Sequence, residues 1–295
     1  MTTAVETVAA PRHKPSVLSR AWALVRRHTL TFFAVLAFAY LLVPIVVVVV
    51  FSFNDPIGRF NFAWQGFTVN NWLHPFDYPG LSGAVRLSIE IALLSSAFAT
   101  VIGTLMAMAL VRHRFLGQGA TNLLIFLPMA TPEIVMGSSL LTLFLNQGPF
   151  GIFGFRLGFV TILIAHIMFN ISFVVVVVRS RLIGFDRSLE EAAQDLGANG
   201  FQTFMRVTLP LIAPGVLAAA LLAFALSIDD FVITNFNAGS TVTFPLFVWG
   251  ASRVAVPPQI NIIATMIFVA TLTVMALTVL QQRRAARMSA VRPDA

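Results

Sequence analysis

The segment 188-SLEEAAQDLGANGFQTFMRVTLP-210 is a polar stretch between two apolar blocks, and its residues indicate short helices in water. Ser188 followed three residues later by Glu191 matches a capping box, in which the hydroxyl and the carboxylate bind free backbone N–H groups at a helix start. This pattern predicts a helix that begins at Leu189. Gly197 is suited to the left-handed conformation that ends many helices, so the first helix is expected to stop there.

The second half of the segment contains its own turn and start signals. The dipeptide 199-NG-200 is typical of a turn and precedes a second short helix expected over 201–207. Pro210 indicates the start of a further helix, where its missing N–H costs little. Together these signals predict a helix-turn-helix hairpin over 186–210.

Both short helices have an apolar face. Apolar side chains recur at helical spacing at Leu189, Ala192, Ala193, Leu196, Phe201, Phe204 and Met205. Because isolated helices shorter than about 12 residues are marginal in water, these faces are expected to pack on another surface. That surface is either the lipid headgroups, the chain's own membrane helices or a separate protein.

The rest of the chain has the composition of an integral membrane protein. Of its 295 residues, 58% are hydrophobic and only 11% are charged, and the mean hydropathy is +0.86. A bilayer core needs about 20 apolar residues in a helix, because a spanning segment must satisfy its backbone internally. Six blocks meet this need, at about 30–52, 86–111, 121–145, 158–179, 211–235 and 261–281. The predicted fold is therefore an all-α membrane protein with six transmembrane helices.

Positive charges set the orientation of these helices. With both termini in the cytoplasm, 15 Lys and Arg residues lie on the cytoplasmic side and 4 on the outer side. The first block is longer than a secretory signal core and is interpreted as a retained helix. This predicts a multi-pass membrane protein with both termini in the cytoplasm. The chain is expected to begin with a cytoplasmic tail over 1–29, which is disordered at 1–15. A membrane domain follows over 30–281 and includes an outer loop at 53–85. A second cytoplasmic tail covers 282–295.

Several functional classes are excluded by composition. The chain has no cysteine, and its five histidines show no metal-ligand spacing, so no metal or catalytic site is predicted. The only lysine is Lys14, which lacks the surroundings of a Walker A loop, so ATP would have to be bound by a partner. The net charge of +7 is distributed as topology signals, which argues against nucleic-acid binding.

Four acidic residues fall within the predicted membrane helices. A buried charge there is costly unless it is paired or wet, so Glu90, Glu133, Asp229 and Asp230 are candidates to line a substrate pathway. Glu133 is expected near mid-membrane, Glu90 one turn into the second helix, and the Asp pair toward the outer face. Adjacent helical residues point about 100° apart, so at most one Asp aims into a pathway. The alternative for the pair is interfacial solvation or a cap on a broken helix.

Two further features allow more than one interpretation. His166 and Asn170, four residues apart, are expected to make interhelical hydrogen bonds, and the alternative is that they line the pathway. The segment 244–261 is either an interfacial helix anchored by Trp249, or an outer gate or contact for a substrate-binding protein.

The spacing in the opening segment resembles a known family motif. Glu191-Ala192-Ala193, Gly197 and Val207-x-Leu209-Pro210 resemble the EAA motif of ABC importer membrane subunits, with Val207 where Ile is usual. The resemblance implies that the hairpin is a coupling helix that docks on a cytoplasmic ATPase. The implied coupling residues are Glu191, Ala192, Ala193, Gly197, Phe201, Phe204, Leu209 and Pro210.

Three other segments narrow the resemblance. The segments 64-WQGFT-68, 132-PEIVMG-137 and 226-LSIDDFVITNF-236 resemble the second permease subunit of spermidine/putrescine importers. The resemblance implies the MetI-like permease fold of type I importers and a polyamine substrate.

The same resemblance implies a set of partners. These are a second homologous permease, two ATPase subunits that hold ATP and magnesium, and an extracytoplasmic solute-binding protein. This chain would bind no cofactor and catalyse nothing. The alternatives are an ABC permease for another solute, such as an iron chelate, thiamine, phosphonate, sulfate or opine, an ion-coupled secondary transporter, and a membrane enzyme.

Overall fold

The computed structural model describes residues 17–145 and 156–290, with side chains described over 28–145 and 156–280. The first half contains α1 (Val17–Phe51), α2 (Asn70–Leu73), α3 (Leu81–Arg112), α4 (Gln118–Ala130) and α5 (Glu133–Leu145). The second half contains α6 (Phe159–Ile183), α7 (Ser188–Asp195), α8 (Gly200–Thr203), a π-helical turn (Phe204–Thr208), α9 (Leu209–Ile228), α10 (Val232–Asn237), α11 (Phe244–Ala251) and α12 (Pro258–Ala290). The tail predicted at 1–15 lies outside the described residues.

Among the described residues, five helices are long and apolar enough to cross a membrane, and a bent pair supplies a sixth span if it is counted as one. The all-α, six-span prediction is confirmed in this sense. The outer helices are longer than predicted, because α1 begins at Val17 and α12 continues to Ala290. Neither end carries a proline or glycine that would stop a helix at 30 or 281.

The third predicted span is not one straight helix. The α4 and α5 helices are bent by 111° at a break between Ala130 and Glu133. Thr131 is in an extended conformation and Pro132 follows it, as expected from the steric clash between a proline and a helical residue before it. The expectation of one continuous helix over 121–145 was wrong for this reason.

The fifth span also differs from its prediction. The second hairpin helix does not end at residue 207, because α8, the π turn and α9 form one apolar helical stretch from Gly200 to Ile228. Pro210 lies in the first turn of α9 rather than after a break. The helix then stops at Ile228 instead of residue 235, and a short separate helix, α10, follows.

The core of the bundle is formed by α3, α6 and α9. Small residues allow close packing, and an added Cβ at Gly103 would lie only 2.6 Å from Val174 Cγ1. Valines of α6 and alanines of α3 and α9 fill this core. The α1 helix packs mainly on α12 and leaves its apolar side chains exposed.

The outer loop is folded by hydrogen bonds of buried asparagines. Asn54 Nδ2 donates to Asn61 Oδ1 at 2.6 Å, and Asn61 Nδ2 donates to the carbonyl of Phe51 at 2.8 Å. The segment 64–68 pairs with 53–55, because the Thr68 N–H donates to the Phe53 carbonyl at 2.8 Å. The outer loop is therefore fastened to the end of α1.

Candidate functional site

The α7 helix begins without the predicted capping box. Its first residue is Ser188, whose backbone N–H donates to Asp186 Oδ1 at 3.0 Å. This bond holds the pKa of the Asp186 carboxyl below its usual value, and a charged carboxylate suits the N-terminus of a helix. The reciprocal cap forms instead on the second helix, where Asn199 and Gln202 exchange bonds of 2.9 and 3.0 Å. The spacing of Ser188 and Glu191 predicted a capping box on the first helix, but Ser188 lies one residue after the N-cap, Arg187, and its side chain makes no capping bond.

Gly197 ends α7 as predicted. Its φ is +88°, its N–H donates to the carbonyl of Gln194 at 2.9 Å, and the N–H of Ala198 donates to the carbonyl of Ala193 at 3.0 Å. These two bonds form a Schellman motif, which satisfies the last carbonyls of the helix. A glycine is favoured here because an L side chain rarely adopts this φ.

The buried acidic residue of the hairpin is Glu190, not Glu191. The Glu190 carboxylate accepts bonds from the Arg112 guanidinium at the end of α3 and from the Thr208 hydroxyl in the π turn. The Glu190 and Arg112 side chains are only 12% and 20% exposed. Arg187 adds a bond from Nη2 to the carbonyl of Val111 at 3.1 Å. The hairpin is thus anchored to α3, an attachment that residue spacing did not indicate.

The motif residues face two directions. Glu191 and Ala192 are exposed, and the side chain of Glu191 has no hydrogen bond or ion pair to a described residue. Phe204 and Leu209 are half-buried, with Leu209 packed on the bundle core. The hairpin also presents exposed apolar side chains, which are Leu189, Leu196, Phe201 and Met205, with Leu196 at 90% and Phe201 at 73% exposure. The described chain does not cover this face.

The two adjacent aspartates at the end of α9 have different surroundings. Asp229 is the C-terminal cap residue of α9 and is exposed. The side chain of Asp230 is 5% exposed and accepts bonds of 2.8 Å from both the N–H and the hydroxyl of Thr234. The interpretation of the pair as caps on a broken helix is therefore correct for Asp230. The helix break separates the two carboxylates.

Asp229 lines a cleft of about 800 Å³ between α9, α11 and α12. Asp229 is the one charged side chain among the described residues of the lining. Most of the remaining lining is apolar or aromatic, with Phe224, Phe231, Phe244, Val248, Trp249 and Phe268 among its residues. Trp249 packs on Phe231 with ring centroids 5.2 Å apart, and the Arg253 guanidinium lies 4.9 Å from its ring. A single carboxylate among aromatic rings is a suitable surrounding for an organic cation.

The other two acidic candidates lie apart from this cleft. Glu133 is the first residue of α5, exposed at the bend, and not in the middle of a continuous helix as expected. Glu90 is on α3, where it pairs with Arg86 at 2.6 Å on a largely exposed face. The i, i+4 spacing of this pair explains how a span accommodates the Glu90 charge. The four acidic candidates therefore do not form one cluster.

His166 makes the interhelical bonds expected of it. Its Nδ1 is 2.7 Å from Ser227 Oγ, and its Nε2 is 2.9 Å from Thr234 Oγ1 and 3.2 Å from Asp230 Oδ2. Asn170 does not, because neither its Oδ1 nor its Nδ2 has a hydrogen-bond partner in the described part of the chain, although the residue is fully buried. Ser, His and Asp side chains thus meet, and all three are buried in the bundle.

The segment 244–261 contains a short helix and an isolated β-bridge to the outer loop. The α11 helix covers Phe244–Ala251 and packs on α3, with the Phe244 N–H donating to Ser88 Oγ at 2.8 Å. Val256 then pairs with the outer loop, donating to the carbonyl of Arg59 at 2.9 Å. The segment therefore joins the cleft to the outer loop.

The fold resembles that of a solved importer. The chain aligns with a crystal structure of a bacterial alginate ABC transporter in complex with an alginate pentasaccharide-bound periplasmic protein. The TM-score is 0.61 at 16% identity, over 90% of this chain and 98% of that chain. At this identity the likeness is one of fold.

Two curated relatives are similar in sequence. The spermidine/putrescine transport system permease protein PotC of Escherichia coli (strain K12) is 42% identical over 236 residues, which is 80% of this chain and 86% of that protein. The putrescine transport system permease protein PotI of the same strain is 37% identical, over 79% of this chain and 83% of that protein. Both relatives are permease subunits of polyamine transport systems by name.

A family model supports the same assignment. Residues 99–289, which include the α7 hairpin and the Asp229 cleft, match the binding-protein-dependent transport system inner membrane component. The matched region, the apolar spans and the relatives agree on a multi-pass inner membrane protein. The chain belongs to the family of inner membrane permease components of binding-protein-dependent ABC transport systems.

Proposed function

We propose that this chain is the permease subunit of an ATP-driven polyamine importer, which moves spermidine or putrescine from an extracytoplasmic binding protein into the cytoplasm. The observation that carries the substrate class is the cleft with one carboxylate among aromatic rings. A polyamine has ammonium groups separated by methylenes. The Asp229 carboxylate suits an ammonium group, and the rings of Phe231 and Trp249 suit both the methylenes and the positive charge.

The names of the relatives support this substrate class. PotC and PotI share 42% and 37% of the aligned residues with this chain, and the alignments span about four-fifths of it. A cleft whose one charged lining side chain is the Asp229 carboxylate disfavours anions such as phosphonate or sulfate, because like charges repel each other in an apolar site.

The proposed partners include two cytoplasmic ATPase subunits, which bind ATP and magnesium. The chain itself lacks the glycine-rich loop with lysine that a Walker A site needs, since Lys14 is its only lysine. One ATPase subunit would cover the apolar face of the hairpin, where Leu196 and Phe201 are mostly exposed. A second homologous permease and a solute-binding protein complete the proposed assembly.

The continuity of α8, the π turn and α9 provides the mechanical link in this proposal. The stretch from Gly200 to Ile228 has 29 residues and is about 40 Å long at 1.5 Å per residue. A displacement of the hairpin by the ATPase is therefore transmitted along one helix to Asp229. ATP binding and hydrolysis would move this helix, and the cleft would open alternately to the two sides of the membrane.

Uptake by the assembled transporter tests the substrate class. The full complex in proteoliposomes, with ATP inside and its binding protein outside, is expected to accumulate labelled spermidine or putrescine. Trp249→Ala is expected to raise the KM for the amine several-fold, because it removes an aromatic ring from the lining of the Asp229 cleft. ATP-dependent uptake of a different solute, with neither amine transported, would refute the polyamine assignment.

A charge reversal on the hairpin tests the ATPase contact. Glu191→Lys is expected to abolish uptake and to release the ATPase subunits from detergent-solubilised complexes. Gln194→Lys adds a positive charge to an exposed position of the same helix outside the motif, and it serves as the matched control. An ion-coupled carrier without a partner would transport equally well with either variant.

A further inference from the structure

Four helices meet at a polar cluster that surrounds the buried side chain of His166. The His166 ring on α6 contacts Ser227 on α9 at 2.7 Å and Thr234 on α10 at 2.9 Å. Ser227 Oγ is 2.9 Å from Ser95 Oγ on α3. Asp230 Oδ2, at the break between α9 and α10, lies 3.2 Å from His166 Nε2. One polar cluster therefore joins α3, α6, α9 and α10 at the end of the α9 span.

Each contact in this cluster can be assigned one donor and one acceptor without conflict. Asp230 accepts from the N–H and the hydroxyl of Thr234, and a proton on His166 Nε2 faces both the Thr234 hydroxyl at 2.9 Å and this carboxylate at 3.2 Å. The Ser227 hydroxyl then donates to Nδ1 and accepts from Ser95. The cavity beside these residues is too narrow for a water molecule. The Asp230 carboxylate is thus stabilised by fixed donors inside the protein.

Asp229, the preceding residue, has the opposite surroundings. It is exposed, it lines the aromatic cleft, and its side chain has no hydrogen bond or ion pair to another residue in the described part of the chain. Because α9 ends between Ile228 and Asp229, the direction of the Asp229 side chain depends on how the next residues are held. The nearest fixed point is the Asp230 cluster.

We propose that Asp230 and His166 form a clamp that positions the helix break, and that Asp229 alone presents a carboxylate to the substrate. The role of Asp229 rests on the proposed amine transport. Asp230 is then a positioning residue, and its charge serves the donors of His166 and Thr234 rather than an ammonium group.

The same substitution at the two adjacent residues separates these roles. Asp229→Asn removes the charge that faces the cleft and is expected to raise the KM for spermidine by about tenfold or more, since hydrogen bonds to ions are roughly twice as strong as neutral ones. Asp230→Asn can keep an uncharged oxygen in the place of Oδ2, where it still accepts from the Thr234 N–H and faces His166 Nε2. Its KM is therefore expected to stay within about twofold of wild type, although the maximal rate falls.

Thermal unfolding of the purified full transporter tests the clamp independently of transport. Asp230→Ala and His166→Ala are each expected to lower the unfolding midpoint of the permease. The double variant is expected to lose less than the sum of the two losses, because both remove the same interaction. Asp229→Ala is the matched control and is expected to leave the midpoint unchanged.

The outcomes distinguish the clamp from the proposed function. A KM increase for Asp230→Asn as large as that for Asp229→Asn would overturn the proposal, since Asp230 would then contact the amine. Additive midpoint losses would overturn the clamp. An unchanged KM in Asp229→Asn, together with coupled midpoint losses, would refute the amine role of Asp229 and leave the positioning role of Asp230 and His166 intact.

Discussion

Neutralising Glu190 is expected to loosen the α7 hairpin far more than neutralising its neighbour Glu191. The Glu190 carboxylate accepts one bond from the Arg112 guanidinium and one from the Thr208 hydroxyl. Glu190→Gln retains an uncharged acceptor but loses the charge of both interactions. The Glu191 side chain makes no such bond to the described residues, so Glu191→Gln is the matched control.

The magnitude follows from the burial of the pair. A hydrogen bond to a charged group contributes about 1.5–3 kcal/mol and a neutral one about 0.5–1.5 kcal/mol, so two bonds lose roughly 2 kcal/mol. The pair remains 12% and 20% exposed, so solvent screening reduces the loss to about 1–2 kcal/mol. That free energy corresponds to about a 5- to 30-fold rise in the population of the undocked hairpin.

Hydrogen exchange measures this population directly. In the assembled transporter without nucleotide, backbone amides of 188–199 are expected to exchange about 5- to 30-fold faster in Glu190→Gln and at the wild-type rate in Glu191→Gln. The amine transported per ATP hydrolysed is also expected to fall in Glu190→Gln, because a loose hairpin transmits less motion to α9. Equal exchange rates in the two variants would show that Glu190 does not anchor the hairpin.

Two glycine substitutions provide further tests. Gly103→Ala is expected to lower the thermal unfolding midpoint, because the new Cβ meets Val174 Cγ1 at 2.6 Å and overpacking costs about 1–3 kcal/mol. Val174→Ala in the same chain is expected to recover part of the loss. An unchanged midpoint in Gly103→Ala would contradict this packing. Gly197→Ala meets no atom within 4 Å but places a side chain at φ +88°, so it is expected to destabilise the hairpin by about 1–2 kcal/mol, measured as faster amide exchange. Gly200→Ala is the control, since it also meets no atom within 4 Å and has no positive φ; equal exchange in both variants would contradict the conformational argument.

Local patterns in the sequence predicted the local features of the fold. Apolar block length indicated the spans, and Gly197 marked the end of α7, because a positive φ is a property of a single residue. The proline at 132 was visible in the sequence, yet the predicted third span ignored it. The clash of this proline with the residue before it produces a bend of 111°. The length of an apolar block does not include that clash, so it did not predict the bend.

In the α7 hairpin, the spacing of residues along the sequence was not sufficient to predict a tertiary contact. Two adjacent acidic residues, Glu190 and Glu191, satisfy similar rules for a helix start. Only the tertiary fold, which places α7 beside the C-terminal end of α3, brings one of them to Arg112, which is 78 residues away in the chain. A contact over that distance depends on the positions of two helices, and periodicity within either helix does not specify it.

The sequence by itself determined that this chain crosses the membrane several times and that it belongs with importer permeases, and its charge distribution predicts that the hairpin is in the cytoplasm. The tertiary structure decided which acidic side chains are held by hydrogen bonds from other residues and which are not. Asp229 and Asp230 are chemically identical neighbours, but α9 ends between Ile228 and Asp229, and His166 on α6 fixes Asp230. The physical reason is that the cost of a buried charge depends on its surrounding donors, and those donors are brought together only by the packing of the helices.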